Sequence, residues 1–204
     1  MLLEEYGPEY KIILVGNSGV GKTCLIRCFD KQPFEVDELA PTVAPTFTTA
    51  AMRRNDGQEI KLMIWDTSGQ ERFSSINRLF FRNAKVALMC FESTDRSDGV
   101  LTSLKNWRRS VKEESPDCIL VVVVTKSDLI SSSEMEELEV FTDNIVHELG
   151  AISFYVTSAK ENTRVEVLFQ SVAEQCAGAT NLEQGVKLNW EMETTNVNSS
   201  SCRC

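Results

Sequence analysis

Residues Gly16–Thr23 read GNSGVGKT, a run of the form G-x-x-x-x-G-K-[ST]. Glycines at this spacing let backbone N–H groups turn inward onto phosphate oxygens, and a helix opening at Lys22 would add its positive end to the same place. Lys22 would then reach the β- and γ-phosphates. Thr23 can offer its hydroxyl to Mg²⁺, an ion that keeps several waters and takes only one or two protein ligands. The motif specifies a nucleoside triphosphate and leaves the base open. A glycine-rich turn that binds nothing is the plainer alternative, and the strand-like run before the motif and the helical spacing after it argue against that.

Two further segments extend the chemistry. Trp65–Glu71 reads WDTSGQE at the end of a strand-like run, so Asp66 stands where open α/β sheets bind ligands and can hold Mg²⁺ through water. Gly69 would let its amide approach the γ-phosphate, and the Gln70 amide can orient a water for in-line attack. Alone, D-x-x-G-Q is equally an ordinary turn; its position relative to the phosphate loop gives it weight. Thr125–Asp128 (TKSD) and Thr157–Lys160 (TSAK) each follow a strand-like run and fall at the same sheet edge. The Asp128 carboxylate can accept from the ring N–H and the amino group of guanine, whereas adenine would leave it unpaired. The stem of Lys126 can cover a face of the base, and the Ala159 N–H can meet the guanine carbonyl.

Positioning these groups requires alternating strands and helices. Strand-like runs occur at Tyr10–Val15, Phe47–Arg54, Glu59–Trp65, Val86–Phe91, Ile119–Val124 and Ser153–Val156. Helical spacing marks Lys22–Phe29, Leu101–Glu114, Glu134–Leu149 and Val165–Cys176. This is an α/β pattern with a mostly parallel sheet. Asn55-Asp56-Gly57 joins the second and third strands as an antiparallel hairpin. From Gly178 onward periodicity fades, and a flexible tail is expected.

The 204 residues carry 42% hydrophobic and 25% charged side chains, which excludes collagen-like and wholly disordered chains. Thirty acidic against 21 basic side chains give a net charge of −9, which argues against nucleic acid as a partner. Seven scattered cysteines and an acidic start fit reduced thiols in a cytosolic protein. Cys24 and Cys28 are four apart, but with His147 as the single histidine no tetrahedral zinc site can be completed, and core thiols are the plainer reading.

In GNSGVGKT, KLMIWDTSGQERF and TSAK, taken in order, the chain resembles the Ras-like small GTPases, and more narrowly the Rab family, over Tyr10–Cys176. The resemblance implies a P-loop NTPase of Ras-like α/β fold: a six-stranded, mostly parallel sheet with one antiparallel strand, flanked by about five helices. It implies residues 1–9 as an extension, 10–177 as the GTPase domain, monomeric, and 178–204 as the tail. GTP or GDP with Mg²⁺ would be held by Ser18, Gly19, Val20, Gly21, Lys22, Thr23, Cys24, Phe34, Thr42, Asp66, Gly69, Thr125, Lys126, Asp128, Ser158, Ala159 and Lys160. Gln70 and Lys22 would be catalytic, and Thr23, Thr42 and Asp66 would serve the metal. Ser74–Ala84 looks like a Rab second switch, and Phe47, Trp65 and Phe80 match an aromatic trio presented to effectors, although such aromatics on half-exposed strands are also compatible with plain core. The Cys202-Arg203-Cys204 ending is similar to a doubly prenylated Cys-x-Cys, while two terminal cysteines can also arise by accident.

The chain departs from that pattern in three places. Thr125 stands where most of the family has Asn, and keeps a hydrogen-bonding hydroxyl. Ser18 can crowd Gln70, which implies slow intrinsic hydrolysis. The first switch reads APTVAPTF, with Thr42 as the metal ligand by its spacing to Phe47 and Thr46 as the fallback. The function implied is a prenylated GTP switch in vesicle traffic on the cytoplasmic face of an intracellular membrane, with a cytosolic pool. Its partners would be an exchange factor, an activating protein, a GDP-dissociation inhibitor, prenylation machinery and effectors. The alternative is a nucleotide-loaded scaffold with little hydrolysis or switching. A small-molecule kinase would need an arginine-rich lid, which Arg53-Arg54 and Arg108-Arg109 do not form.

Overall fold

The computed structural model describes residues 7–34, 46–67 and 79–177. The expectations placed on Thr42, Gly69, Gln70, Cys202 and Cys204, on residues 74–78 and on the tail fall outside the described residues. Strands β1 (Glu9–Val15), β2 (Thr46–Arg53), β3 (Glu59–Asp66), β4 (Val86–Glu92), β5 (Ile119–Thr125) and β6 (Ser153–Val156) form one sheet in the order β2-β3-β1-β4-β5-β6. Every neighbouring pair is parallel except β2 with β3, which are antiparallel as the hairpin requires. Among the described residues the sheet is flanked by helices α1 (Lys22–Phe29), α2 (Asp98–Glu114), α3 (Ser132–Leu149) and α4 (Val165–Ala177) and a 3₁₀ helix at Ser127–Leu129, in keeping with the about five helices expected.

Alternation along the strands decides which side chain meets which helix. Ile12 and Leu14 of β1, with Val121 and Val123 of β5, face a core closed by Leu25 of α1 and Leu168, Phe169 and Val172 of α4. Ile13 and Val15, with Val122 and Val124, face the opposite core, closed by Leu104 and Val111 of α2 and Leu138 and Ile145 of α3. Both faces are covered, so β5 reads as an uninterrupted apolar run. Burying each of these large side chains is worth about 1.5–3 kcal/mol, and the Phe29 and Phe169 rings stack at 4.0 Å to join α1 to α4.

Helix α2 starts at Asp98, three residues before the apolar spacing predicts. Asp98-Gly99 looks like a turn in sequence, but Ser97 stands in extended conformation as the N-cap and puts Asp98 into the first turn, where an acidic side chain favours the helix dipole. Helix α3 likewise begins earlier, at Ser132, because Ser131 and Glu134 form a capping box. The hairpin closes as expected, the Gly57 N–H donating to Arg54 O at 2.9 Å.

Candidate functional site

The phosphate loop leaves the buried end of β1 and bends at Gly16, whose φ of +144° and position exclude any side chain. A Cβ there would lie 2.2 Å from the Cys90 carbonyl oxygen of β4. The loop then wraps the first residue of α1. Lys22 is only 5% exposed, and its Nζ donates to Gly16 O and to Asn17 O, each at 2.8 Å. An ammonium has three donors, so among the described residues one remains for an anion. Burial pushes the Lys22 pKa down, and the nearby Asp66 carboxylate opposes that shift. Gly21, the N-cap, sits at φ 93° with no capping side chain, so the first-turn N–H groups of α1 are not capped by it.

Beside the lysine, the Thr23 hydroxyl donates to Asp66 Oδ2 at 2.6 Å, and Asp66 is 4% exposed at the end of β3. Thr67, fully buried, donates to Leu14 O at 2.5 Å and pins the end of β3 to β1. A hydroxyl and a carboxylate are hard oxygen donors, and no group of three or more His, Cys, Asp or Glu side chains that could hold a metal occurs among the described residues. That set fits a cation such as Mg²⁺, which completes its shell with water and substrate oxygens. Thr46, the fallback metal ligand, is exposed and stands opposite Asp66 in the β2–β3 register.

The base motifs converge on the same edge. Thr125 Oγ1 lies 2.5 Å from Val20 O and 3.1 Å from Phe91 O, so the hydroxyl in place of Asn ties the base segment directly to the phosphate loop. Lys126 adopts φ 57°, held there by the Ser93 hydroxyl donating to its carbonyl at 2.7 Å. Its ammonium pairs with Glu92, which aims the side chain along the edge of β4. The Asp128 side chain is 7% exposed, accepts from Ser158 Oγ at 2.6 Å, and has Lys160 Nζ at 3.8 Å. Ala159 follows Ser158 in the same turn, half-buried. Cys24, half-buried on α1, has its thiol pushed up in pKa by burial, with Arg27 and Lys126 opposing. Ser18 and Gly19 are exposed on the loop, Val20 is buried beneath it, and Phe34 is 39% exposed.

Elsewhere, Phe47, Trp65 and Phe80 form one row, with centroids 5.0 and 5.6 Å apart along it. Phe47 is 60% exposed, so the row reaches the surface and is more than core. Lys11 Nζ caps the Trp65 ring at 4.7 Å, a cation–π contact invisible to motif reading. Sequence reasoning also missed Glu92 and Ser93, and Asn17, whose Oδ1 accepts from Ser103 Oγ at 2.5 Å. The partner residues lie far apart in the chain and belong to no contiguous motif. No helix among the described residues is long and apolar enough to cross a membrane.

Known proteins share this chain's pattern over most of its length. The family model described as the Ras family matches residues 11–178. Human "Ras-related protein Rab-30" is 35% identical over 176 residues, covering 85% of this chain and 82% of that protein. "Ras-related protein RABE1d" of Arabidopsis thaliana is 32% identical, covering 83% and 76%. "Ras-related protein Rab-13" of Canis lupus familiaris is 31% identical, covering 84% and 82%. With a lysine buried in a phosphate loop, a carboxylate and a hydroxyl paired beside it, and an α/β sheet of matching topology, the chain belongs to the Ras family of small GTPases, as a Rab-like member.

Proposed function

We propose that the chain is a Rab-type switch that binds GTP with Mg²⁺, hydrolyses it slowly, and acts in vesicle traffic at the cytoplasmic face of an intracellular membrane. The observation that carries the guanine reading is Asp128, 7% exposed and accepting from Ser158 at 2.6 Å, on the segment that Thr125 ties to the phosphate loop. A buried carboxylate with room to accept two further donors favours guanine, which offers two, over adenine, which offers a lone pair in the same place. Lys126 would flank the base, with the Ala159 N–H on its carbonyl, Phe34 at its edge and Lys160 beside Asp128.

At the other end, Lys22 would neutralise phosphate charge, with the backbone of Ser18–Cys24 around it. Thr23 and Asp66, with Thr42 or Thr46, would hold Mg²⁺, which supplies charge neutralisation on the phosphates when bound. Gly69 would meet the γ-phosphate and Gln70 would orient the attacking water, both on sequence grounds. Catalysis of this kind is positioning and electrostatics, so an activating protein would supply most of the rate, about 10³–10⁵ where it lends an arginine. Exchange factor, GDP-dissociation inhibitor and prenylation machinery complete the cycle, and effectors would read the switches together with the Phe47, Trp65 and Phe80 row.

Membrane attachment would rest on prenyl groups at Cys202 and Cys204. The segment from Gly178 has Lys187 and Arg203 against Glu183, Glu191 and Glu193, too little positive charge for a second, electrostatic signal. Two experiments test the reading. Guanine nucleotide released from denatured purified protein is expected, and adenine nucleotide in its place would sink it. Single-turnover hydrolysis should be slow alone and fast with an activator; GTP retained in both cases would favour the nucleotide-loaded scaffold.

A further inference from the structure

Asn17 is bonded at both ends. Its backbone carbonyl accepts from Lys22 Nζ at 2.8 Å, while its side chain points away, Oδ1 accepting from Ser103 Oγ at 2.5 Å and from Trp107 Nε1 at 3.4 Å. Ser103 and Trp107 are four residues apart on α2 and so share one helix face. Both lone pairs of the amide oxygen are taken up by this pair of donors.

Little else supports the loop on that side. A cavity of about 380 Å³ opens between the loop and α2 and runs to the end of β4 and Lys126, with Asn17, Val20, Phe91, Ser103 and Leu104 in its lining. Side chains therefore do not fill the space behind the loop, and dispersion contacts that would fix it are missing across the gap. The indole is 8% exposed and its orientation is set by edge contact with Phe81 at 6.5 Å. A buried indole N–H without an acceptor is costly, so Trp107 holds Asn17 as firmly as Asn17 holds Trp107.

We propose that Ser103 and Trp107 are positioning residues for nucleotide retention: by holding the Asn17 side chain they fix the backbone carbonyl that orients the Lys22 ammonium toward the phosphates. This rests on the reading of Lys22 as a phosphate-binding group. Neither α2 residue touches the nucleotide in this account, and each acts on the phosphate end alone, since the base segment is tied to the loop separately through Thr125 and Val20.

The test uses the full chain loaded with methylanthraniloyl-GDP and chased with unlabelled GDP in Mg²⁺. Ser103→Ala and Trp107→Phe should each speed release about threefold to tenfold, and the double variant more, as expected for loss of one or two hydrogen bonds. Ser103→Thr keeps the hydroxyl and should restore slow release. GDP should lose affinity relative to GMP, which has no β-phosphate, while the preference for GDP over IDP stays as in the parent. Parent release rates in both single variants would overturn the inference. So would an unchanged GDP-to-GMP ratio with both weakened, because that is general loosening of the domain. Lys22→Ala serves as the separate control: if it retained GDP as the parent does, the reading of the site itself would fail, and this inference with it.

Discussion

The two ends of the proposed nucleotide site are built by different means. At the phosphate end the backbone does most of the work: Gly16 permits close approach to β4 and backbone carbonyls grip Lys22, with the long-range Thr23–Asp66 and Asn17–Ser103 side-chain bonds added to it. At the base end, side chains borrowed from three strand ends do the work, with Thr125, Ser93 and Ser158 each bonded across more than 25 residues of sequence. A backbone-built end tolerates few substitutions and is recognised as a contiguous motif. A side-chain-built end can change residue type and keep its geometry, and the Thr125 hydroxyl, bonded to Val20 O and Phe91 O, is proposed to do here what the Asn expected from the family resemblance would do.

The contrast is tested most severely by Lys22→Ala. Removal of a buried charge that would pair with phosphate should cost about 3–5 kcal/mol, or about two to three and a half orders of magnitude in GDP affinity, measured by fluorescent-nucleotide titration. Asp128→Asn should have the next largest effect but of a different kind. GTP affinity should fall by roughly 10²-fold or more while xanthosine nucleotide, whose carbonyl can accept where guanine donates, gains. Competition binding with both nucleotides checks this, and an equal loss of both would mean that the base end merely lost structure.

Thr125→Ala should be milder, releasing GDP about tenfold faster as the Val20 carbonyl loses its donor. Thr125→Asn sharpens the comparison. A hydroxyl has one proton for two carbonyls at 2.5 and 3.1 Å, whereas an amide nitrogen has two, so the Asn variant should release GDP no faster than the parent. Stopped-flow release rates for the pair decide whether the base end depends on this tie.

The smallest effect expected is one of pH. Cys90 lies under the phosphate loop, and burial pushes its thiol from the ordinary 9.0 to about 12. The folded chain keeps a proton that the unfolded chain releases, so the contribution to stability is complete below pH 9 and is lost as pH rises from there through about 12. Urea unfolding at pH 8 and pH 9.5 should show Cys90→Ala losing less stability with alkali than the parent does. The difference should be at most about 1.4 kcal/mol per pH unit.

Elements bounded by strong punctuation were legible to the residue: Lys22–Phe29 and Ser153–Val156 appear as read. The starts of α2 and α3 were not, since a cap works through extended conformation at Ser97 and Ser131, which apolar periodicity does not register. At the site, contiguous motifs gave Lys22, Thr23 with its partner Asp66, and Asp128 with its partners Ser158 and Lys160, but not what supports Asn17 and Lys126. Asn17 meets Ser103 and Trp107 across 86 and 90 residues, and Lys126 meets Glu92 across 34, distances over which only the sheet order brings side chains together. For Phe47 the sequence left surface and core both open, because alternation on an edge strand marks a face without saying what covers it.

The placement of β1 in the middle of the sheet bears on how the chain is made. Strand β1 is paired on both sides in the finished sheet, by β3 and β4, and so finds its second neighbour only after Glu92 has been synthesised. Its Ile12 and Leu14 share a core with Leu168, Phe169 and Val172 of α4, the last of the described elements to be made. Arrested chains ending before Val165 are therefore expected to be cut readily by protease, and resistance in such chains would show an earlier stable core. The nascent polypeptide therefore carries an apolar, β-branched strand with an open edge until β4 is made and with one face uncovered until α4 docks, and its exposure to aggregation lasts through most of the synthesis of the described residues.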